Sequence, residues 1–401
     1  MSAVPCLLVG DAPELHTGLG RILRDVSTRM MVKEWGRWGH GARLRPSLDI
    51  RRCCFSPTAP RGAGVRTLDG WHTDWRWSSI QDWGAEAITT AWKTWWGDTP
   101  GILFSFYDPA RCFCYLDLPI RGLQRWGYFA VDAHNVHHSF SGPAAEAVRG
   151  YDRVLAYTKY GASVLDQVIP VGAVPTKHLP HGIDTSVFKP VDPTGVAAHY
   201  LGFKDSGWPT GRRLIGCVTT NQPRKDLGFT FEVMRELLDR GLDLHLWLHI
   251  DEQHGEWSVP ALYEDYHLEG RLSCTQGLDD RQLAALYSAC SATIAPGRGE
   301  GFGYPILESQ FCETPVVHVD YAGGAEFVWP GDRVKVVSLH AEGPYNLLRP
   351  IMDVSHAADI LERMIRDRIS GKPAFVMPPA AAQCDWATLW PAWETWIEEG
   401  L

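Results

Sequence analysis

Residues 292–308 read ATIAPGRGEGFGYPILE, from Ala292 to Glu308. Ala292 to Pro296 is a short apolar run of strand length, closed by proline. Four glycines follow at alternate positions, Gly297, Gly299, Gly301 and Gly303. Pro305 then opens a predicted helix to Cys312, at a position where a missing N–H leaves no bond unmade. A strand, a glycine loop and a helix start in that order leave backbone N–H groups free at a positive helix end, which suits a diphosphate. Glu308 is predicted on the first helical turn and Glu300 in the loop. A carboxylate facing phosphate is electrostatically costly, so both are read as acceptors of hydrogen bonds from sugar hydroxyls. The competing reading is a glycine turn with a capping glutamate.

The pattern repeats on either side. Leu214–Thr219 reads as a strand and Asp226–Arg240 as a helix with Phe229, Val233, Leu237 and Leu238 inward. Strands at Leu244–His249 and Pro315–Val319 alternate with helices at Asp279–Ser288 and Ala357–Ile369. Such alternation gives a parallel sheet covered by helices. Between the first strand and helix stands Asn221-Gln222-Pro223-Arg224-Lys225-Asp226. Arginine suits bidentate phosphate contact and lysine supplies a point charge. As partly exposed cations, Arg224 and Lys225 are expected to matter to rate more than to stability. A solvated helix start is the alternative.

The first half has the same grammar. Pro5–Gly10 is a predicted strand, Thr17-Gly18-Leu19-Gly20 a loop and Arg21–Met31 a helix. With Leu23 at the third glycine position, this loop is no dinucleotide fingerprint. Lys33–Gly101 is rich in Trp, Arg, Gly and Pro, has weak periodicity, and is expected to hold strands with long loops. Ile102–Phe106, Gly127–Val131 and Arg153–Tyr157 are strands, and Tyr160–Val168 a helix. Asp132 and His134 end the strand GYFAVDAH, where a carboxyl end opens on a cleft. His137 and His138 compete for that role, and a hydrogen-bonded structural histidine is as good a reading; His181 is expected to fix a turn. A Pro- and Gly-rich boundary is expected between Pro190 and Gly211. Trp386, Trp390 and Trp393 fall at i, i+4, i+7 and predict a final helix burying a tryptophan stripe. The whole reads as α/β, two doubly wound units with a cleft between them.

Composition agrees. At 401 residues, with 45% hydrophobic and 21% charged residues, the chain suits two globular domains and is not disordered, collagenous or coiled-coil. No apolar run reaches the ~20 residues of a membrane span. The start MSAVPCLLVGDAPE lacks a basic signal region, so an intracellular, cytoplasmic protein is expected. Ten cysteines without a Cys-x2-Cys pair read as reduced thiols, and no metal site is expected. Net charge is −9, yet Lys33–Arg66 carries eight basic residues against Glu34 and Asp49, or +6, leaving −15 elsewhere.

Three segments together resemble glycosyltransferase family 4: EGFGYPILES with ETPVVHVDYAGGAEFV, LPHGIDTSVFKP, and TTNQPRKDLGFTFEVM. The resemblance covers nearly all of the second half and key points of the first; Lys33–Gly101 lies outside it. Glu313 stands where the family more often has glycine, which affects only a local turn. The resemblance implies a GT-B fold with an acceptor-binding domain at 1–195, a nucleotide-sugar-binding domain at 196–375, and a helix at 376–401 returning to the first domain. It implies sugar transfer from a nucleotide-sugar, here a UDP-sugar, with retention at the anomeric carbon and without metal or other cofactor. Arg224 and Lys225 would bind the donor diphosphate and Glu308 the ribose. Glu300 would bind the donor sugar hydroxyls, beside Asn221 and the backbone of Gly301, Phe302 and Gly303. Gly18 and Gly20 would form a phosphate-facing loop. With Glu300, Arg224 and Lys225, Asp132 and His134 complete the candidate catalytic set. Competing classes are a non-catalytic nucleotide-sugar or nucleic-acid binding protein, and a phosphorylase or epimerase of the same architecture.

The opening GDAPELHTGLGRI and the segment YFAVDAH also look similar to bacteriophage glycosyltransferases, some of which glucosylate hydroxymethylated bases in DNA; such a protein would work in the host cytoplasm. The +6 stretch interleaves arginines with Trp35 and Trp38, as a backbone-tracking surface would. Arg37, Arg43, Arg45, Arg51 and Arg52 are therefore candidate contacts to duplex DNA carrying a modified pyrimidine. Anionic lipid, polysaccharide, a small molecule, or no partner at all remain alternatives. Neither the sugar, the base nor the oligomeric state is legible in the sequence.

Overall fold

The computed structural model describes residues 3–15, 17–36, 48–57, 64–68, 72–78, 80–170, 176–201, 212–371 and 375–401. Contacts divide the chain into two compact units. Met1–Leu179 with Ala392–Leu401 forms one, and Pro180–Pro391 the other.

The first unit is built on eight strands: β1 (Val4–Asp11), β2 (Leu48–Phe55), β3 (Gly64–Leu68), β4 (His72–Trp77), β5 (Gly101–Ser105), β6 (Leu123–Phe129), β7 (Arg153–Ala156) and β8 (Lys177–His178). Their order is β3-β4-β2-β1-β5-β6-β7-β8. All neighbours are parallel except the β3–β4 pair. β1 is central, with Cys6 opposite Ile50 on one side and Ile102 on the other. Sheet faces covered by helices on both sides demand continuous apolar strands, and Leu7, Leu8 and Val9 are fully buried.

One element of this unit was unreadable in the weakly periodic stretch. Ala85–Trp96 is a helix. Ile88, Ala91 and Trp92 bury at i, i+3, i+4, a helical spacing after all. Thr89, Thr90 and Thr94 obscure it, each returning its hydroxyl to the carbonyl four residues back. Gly84 caps the helix in the left-handed region, φ +83°. The final helix, Trp386–Glu398, does carry a tryptophan stripe. Trp393 packs 4.8 Å from Tyr128 and Trp396 5.2 Å from Trp126, while Trp390 is only half-buried. Truncating such a fully buried ring would cost roughly 3–5 kcal/mol.

The second unit holds a six-stranded parallel sheet: β9 (Arg213–Thr219), β10 (Leu244–Ile250), β11 (Leu272–Thr275), β12 (Ala292–Ala295), β13 (Val316–Val319) and β14 (Arg333–Val334). The order is β11-β10-β9-β12-β13-β14. A two-stranded antiparallel hairpin, β15 (Val336–Glu342) and β16 (Leu347–Met352), follows. The Pro- and Gly-rich stretch contains a further helix, Thr194–Leu201, started by Asp192 accepting from the Thr194 amide and hydroxyl. This helix packs on the second unit, where Gln282 donates to the Tyr200 hydroxyl at 2.7 Å. Among the described residues no helix is long and apolar enough to cross a membrane.

Candidate functional site

The strand order in the second unit runs outward in both directions from β9 and β12. Ligands of such sheets sit outside the carboxyl ends at that switch point. The two loops there are 220–226, after β9, and 296–303, after β12. They are joined main chain to main chain, with the Arg298 amide donating to the Arg224 carbonyl at 2.7 Å. Pro223–Lys225 is a tight 3-10 turn that points both cations toward the second loop. Arg224 donates to the Gly299 carbonyl at 3.1 Å and lies 3.6 Å from the Glu300 carboxylate. Lys225 pairs directly with Glu300.

This pair corrects one expectation. Lys225 and Glu300 are 12% and 13% exposed, so Lys225 is no solvated cleft cation and its removal strands a carboxylate. Burial alone would raise the Glu300 carboxyl; the Lys225 and Arg224 charges outweigh it and hold it down at about 2. The Glu300 carbonyl accepts from the Gly324 amide at 3.0 Å. Beneath lies His318, buried, with Nδ1 2.8 Å from the Ala295 carbonyl. A carbonyl only accepts, so Nδ1 carries the proton and Nε2 is left as a buried acceptor without a hydrogen bond. Burial lowers the His318 pKa, and the imidazole is neutral. A Cβ at Gly324 would lie 2.7 Å from that Nε2 and 2.9 Å from the Glu300 Cβ, so only glycine fits.

Glu308 is fifth in the helix Tyr304–Phe311, which places it on the second turn and not the first. Gly303, left-handed at φ +90°, ends the loop and starts the helix one residue before Pro305. The Glu308 carboxylate is buried and accepts from the Tyr287 hydroxyl at 3.0 Å. Asn221 is a correction too: its side chain is spent on the chain itself. Its amide nitrogen donates to the Glu252 and Trp257 carbonyls at 3.1 and 2.8 Å, and its oxygen accepts from the Trp257 amide. These bonds shape the loop. Phe302 is core, its ring 3.6 Å from His181 and 4.8 Å from Phe327, so only its backbone and that of Gly301 and Gly303 are offered. His181 is a buried wedge between Phe302 and Tyr304.

In the first unit, Gly18 and Gly20 lie in the opening turn of the helix Gly18–Gly36 and not in a loop before it. Thr17 closes that turn, accepting from the Gly20 amide at 3.0 Å and donating to Asp11 at 2.8 Å. A Cβ at Gly20 would meet the Ala12 carbonyl at 2.7 Å, so Gly20 is a close-approach residue. Asp132 and His134 follow β6. His134 Nδ1 is 2.6 Å from the Asn135 carbonyl, and its ring stands 4.4 Å from His138. His138 is held at positive φ, contacts Ser163, and has its pKa lowered by burial and by His134.

Sequence reasoning missed three neighbours of this group. Asp11 ends β1, and burial raises its carboxyl despite Thr17 and the nearby Arg111. Asp108 follows β5 and caps the short turn Pro109–Cys112; its carboxyl is raised by burial, with Asp132 adding to it and Arg111 opposing. Arg111 pairs with Asp108 at 3.0 Å and lies 4.3 Å from the Trp83 ring. The signal was present as an apolar run followed by Asp-Pro, a helix start at a strand's carboxyl end.

The basic stretch is not displayed as expected. Arg52 is 3% exposed and bonds Asp74 at 2.7 Å and Ser27 at 3.2 Å, a structural ion pair inside the first unit. Arg51 pairs with Asp49 and stacks on Trp95 and Trp96 at 5.2 and 5.8 Å. Arg37, Arg43 and Arg45 lie outside the described residues. Among the described residues no group of three His, Cys, Asp or Glu could hold a metal.

Residues 202–342 match the family described as Glycosyl transferases group 1. The chain is 27% identical over 243 residues to the lipopolysaccharide core biosynthesis mannosyltransferase LpcC of Rhizobium leguminosarum bv. viciae, covering 53% of this chain and 63% of that protein. It thus spans less than two thirds of that relative. Sucrose-phosphate synthase from Thermosynechococcus elongatus superposes with a TM-score of 0.70 at 15% identity, over 99% of this chain and 98% of that one. Anabaena HepE in complex with UDP and glucose superposes with a TM-score of 0.67 at 14% identity, over 99% and 100%. The fold is GT-B, two α/β units each on its own parallel-rich sheet.

Proposed function

We propose that the chain is a retaining, metal-independent glycosyltransferase that takes its sugar from a nucleotide-sugar, a UDP-sugar first. The observation that carries this is the Arg224–Lys225–Glu300 cluster at the β9/β12 switch point, inside the segment that matches the glycosyl transferase family. Glu300 holds both cations. A bound donor offers each side a better partner: its diphosphate takes Arg224 and Lys225, and its sugar hydroxyls take Glu300. In the reaction the bond from the anomeric carbon to the diphosphate oxygen breaks and one to the acceptor hydroxyl oxygen forms. The hydroxyl proton leaves with the diphosphate. Arg224 and Lys225 stabilise the charge that develops on the leaving group, worth roughly 3–4 kcal/mol for a well-placed donor in a dry site. Glu308, held by Tyr287, takes the ribose. The second unit is read as the donor-binding part and the first as the acceptor-binding part, where Asp132 and His134 are offered to an acceptor hydroxyl.

For the acceptor, a carbohydrate hydroxyl on a glycan or glycolipid is the better reading. The carboxyl ends of β5 and β6 are followed by the half-buried Asp108 and Asp132, carboxyls suited to accept from hydroxyls and unfavourable to a polyanion, with Arg111 paired to Asp108. The similar LpcC acts, by its name, in lipopolysaccharide core synthesis. Duplex DNA with a modified pyrimidine loses the support of Arg51 and Arg52, each held by an acid of the chain. The test is transfer from UDP- and GDP-sugars to core oligosaccharide, glycolipid and hydroxymethylated duplex, with and without a chelator, reading the anomeric configuration of the product. Absence of both transfer and donor hydrolysis refutes the enzyme reading. Loss on chelation restored by a divalent ion refutes metal independence, and an inverted product refutes retention.

A further inference from the structure

Arg298 has no part in the donor contacts assigned above, yet four separate interactions converge on it. Its amide donates to the Arg224 carbonyl at 2.7 Å, and its own carbonyl accepts from Arg349 at 3.4 Å. Its guanidinium makes a two-pronged contact with Glu342, the last residue of β15, the second prong at 3.0 Å. Its Nε stands 3.6 Å from the Asp226 carboxylate. Asp226 directly follows Lys225, is left-handed at φ +39°, and caps the next helix by accepting from the Phe229 amide. A non-glycine residue held there costs roughly 1–2 kcal/mol and persists only where its surroundings hold it. The Phe229 amide and the Asp226 amide bond to the Pro223 carbonyl hold it from its own side, and Arg298, at 13% exposure, is the cation that faces its carboxylate.

We propose that Arg298, braced by Glu342 on the hairpin, is a positioning residue that holds the Arg224–Lys225 turn in register with Glu300, and so sets how strongly the site recognises the second phosphate of a nucleoside diphosphate. This rests on the donor-site reading above. The chemistry fits the residue types. Arg224, Lys225 and Arg298 are three like charges within two adjoining loops; Arg224 and Lys225 share Glu300, and Arg298 takes Asp226 and Glu342. Planar two-pronged pairing with Glu342 fixes the guanidinium plane, which a lysine could not do. The hairpin β15–β16 thereby becomes a strut of the phosphate loop.

The experiment compares the affinities of UDP and UMP, with GDP and GMP in parallel, by calorimetry on the full chain and on the Arg298→Ala and Glu342→Gln variants. Glu342 is 39% exposed, so its near-isosteric variant folds even where Arg298→Ala does not. In the wild type UDP binds at least ~10-fold tighter than UMP, as expected of charge-assisted phosphate contacts. In the variants that ratio falls at least ~5-fold while UMP affinity stays within ~2-fold. A residue that merely stabilised the unit would lower both together. An unchanged ratio, or equal loss of both ligands in Glu342→Gln, overturns the positioning role. A wild type that binds none of the four nucleotides removes the donor-site reading itself, and the proposal falls with it.

Discussion

Replacing Lys225 by alanine leaves Glu300 in a nearly dry site with only Arg224, 3.6 Å away, to answer it. The Glu300 carboxyl sits at about 2 against its ordinary 4.5. That gap corresponds to about 3 kcal/mol at ~1.4 kcal/mol per pKa unit, and Lys225 supplies the larger share. Lys225→Ala should therefore destabilise the second unit by about 2–3 kcal/mol, or roughly 5–10 °C in Tm for a unit of this size. Removing both charges, in Lys225→Ala with Glu300→Gln, should recover most of the loss, because no uncompensated carboxylate remains. The pH dependence has a definite sign. Glu300 has a depressed folded pKa, so its stabilisation is complete above pH ~4.5 and is lost as pH falls toward 2. Lys225→Ala should flatten that acid limb. Urea melts of the three proteins between pH 2.5 and 7 read both quantities. A single variant as stable as wild type, or a double variant no more stable than the single, would refute the buried pair.

Four further outcomes follow from other residues. Gly324→Ala should cut kcat/KM at least ~10-fold with a smaller effect on stability, because its methyl would press on His318 and Glu300; unchanged kinetics would remove Gly324 from the site. His245 is held at about 4 by burial, then by Arg212 and Arg271. The unfolded chain takes that proton first, so stability should drop by about 3 kcal/mol from pH 6.5 to 4, and His245→Asn should abolish that slope in urea melts. Arg52→Ala should cost about 2–4 kcal/mol, since Asp74 is fully buried, and leave retention on a low-salt duplex DNA column unchanged; weaker retention in a folded variant would return Arg52 to a DNA surface. Gly84→Ala combines a left-handed φ with a methyl 2.8 Å from Trp77 Nε1 and should lower stability by about 2–4 kcal/mol in thermal melts.

The alternation of apolar runs with amphipathic segments marked β1, β5, β6 and β7 of the first sheet and β9, β10, β12 and β13 of the second, because a strand buried on two faces must be apolar throughout, while β2–β4, β8, β11 and β14 were not read. The stretch 292–308 carried its own loop geometry for a similar reason. Gly299 and Gly303 take positive φ, and proline at a helix start leaves no backbone donor stranded. These constraints are local, so they survive in a single sequence. The helix Ala85–Trp96 escaped because its threonines satisfy themselves along the helix and blur the apolar period.

What the linear chain could not carry is which polar group meets which. Arg52 and Asp74 are 22 residues apart, Lys225 and Glu300 75, and Arg298 and Glu342 44. Residue type made Arg52 and Lys225 alike, two cations open to an anionic ligand. Packing made one a tie between neighbouring strands of the first sheet and left the other in the candidate donor site, locked to a buried carboxylate. A charge's role depends on its desolvation and on the nearest opposite charge, and both are set by strands and loops that meet only in the folded chain.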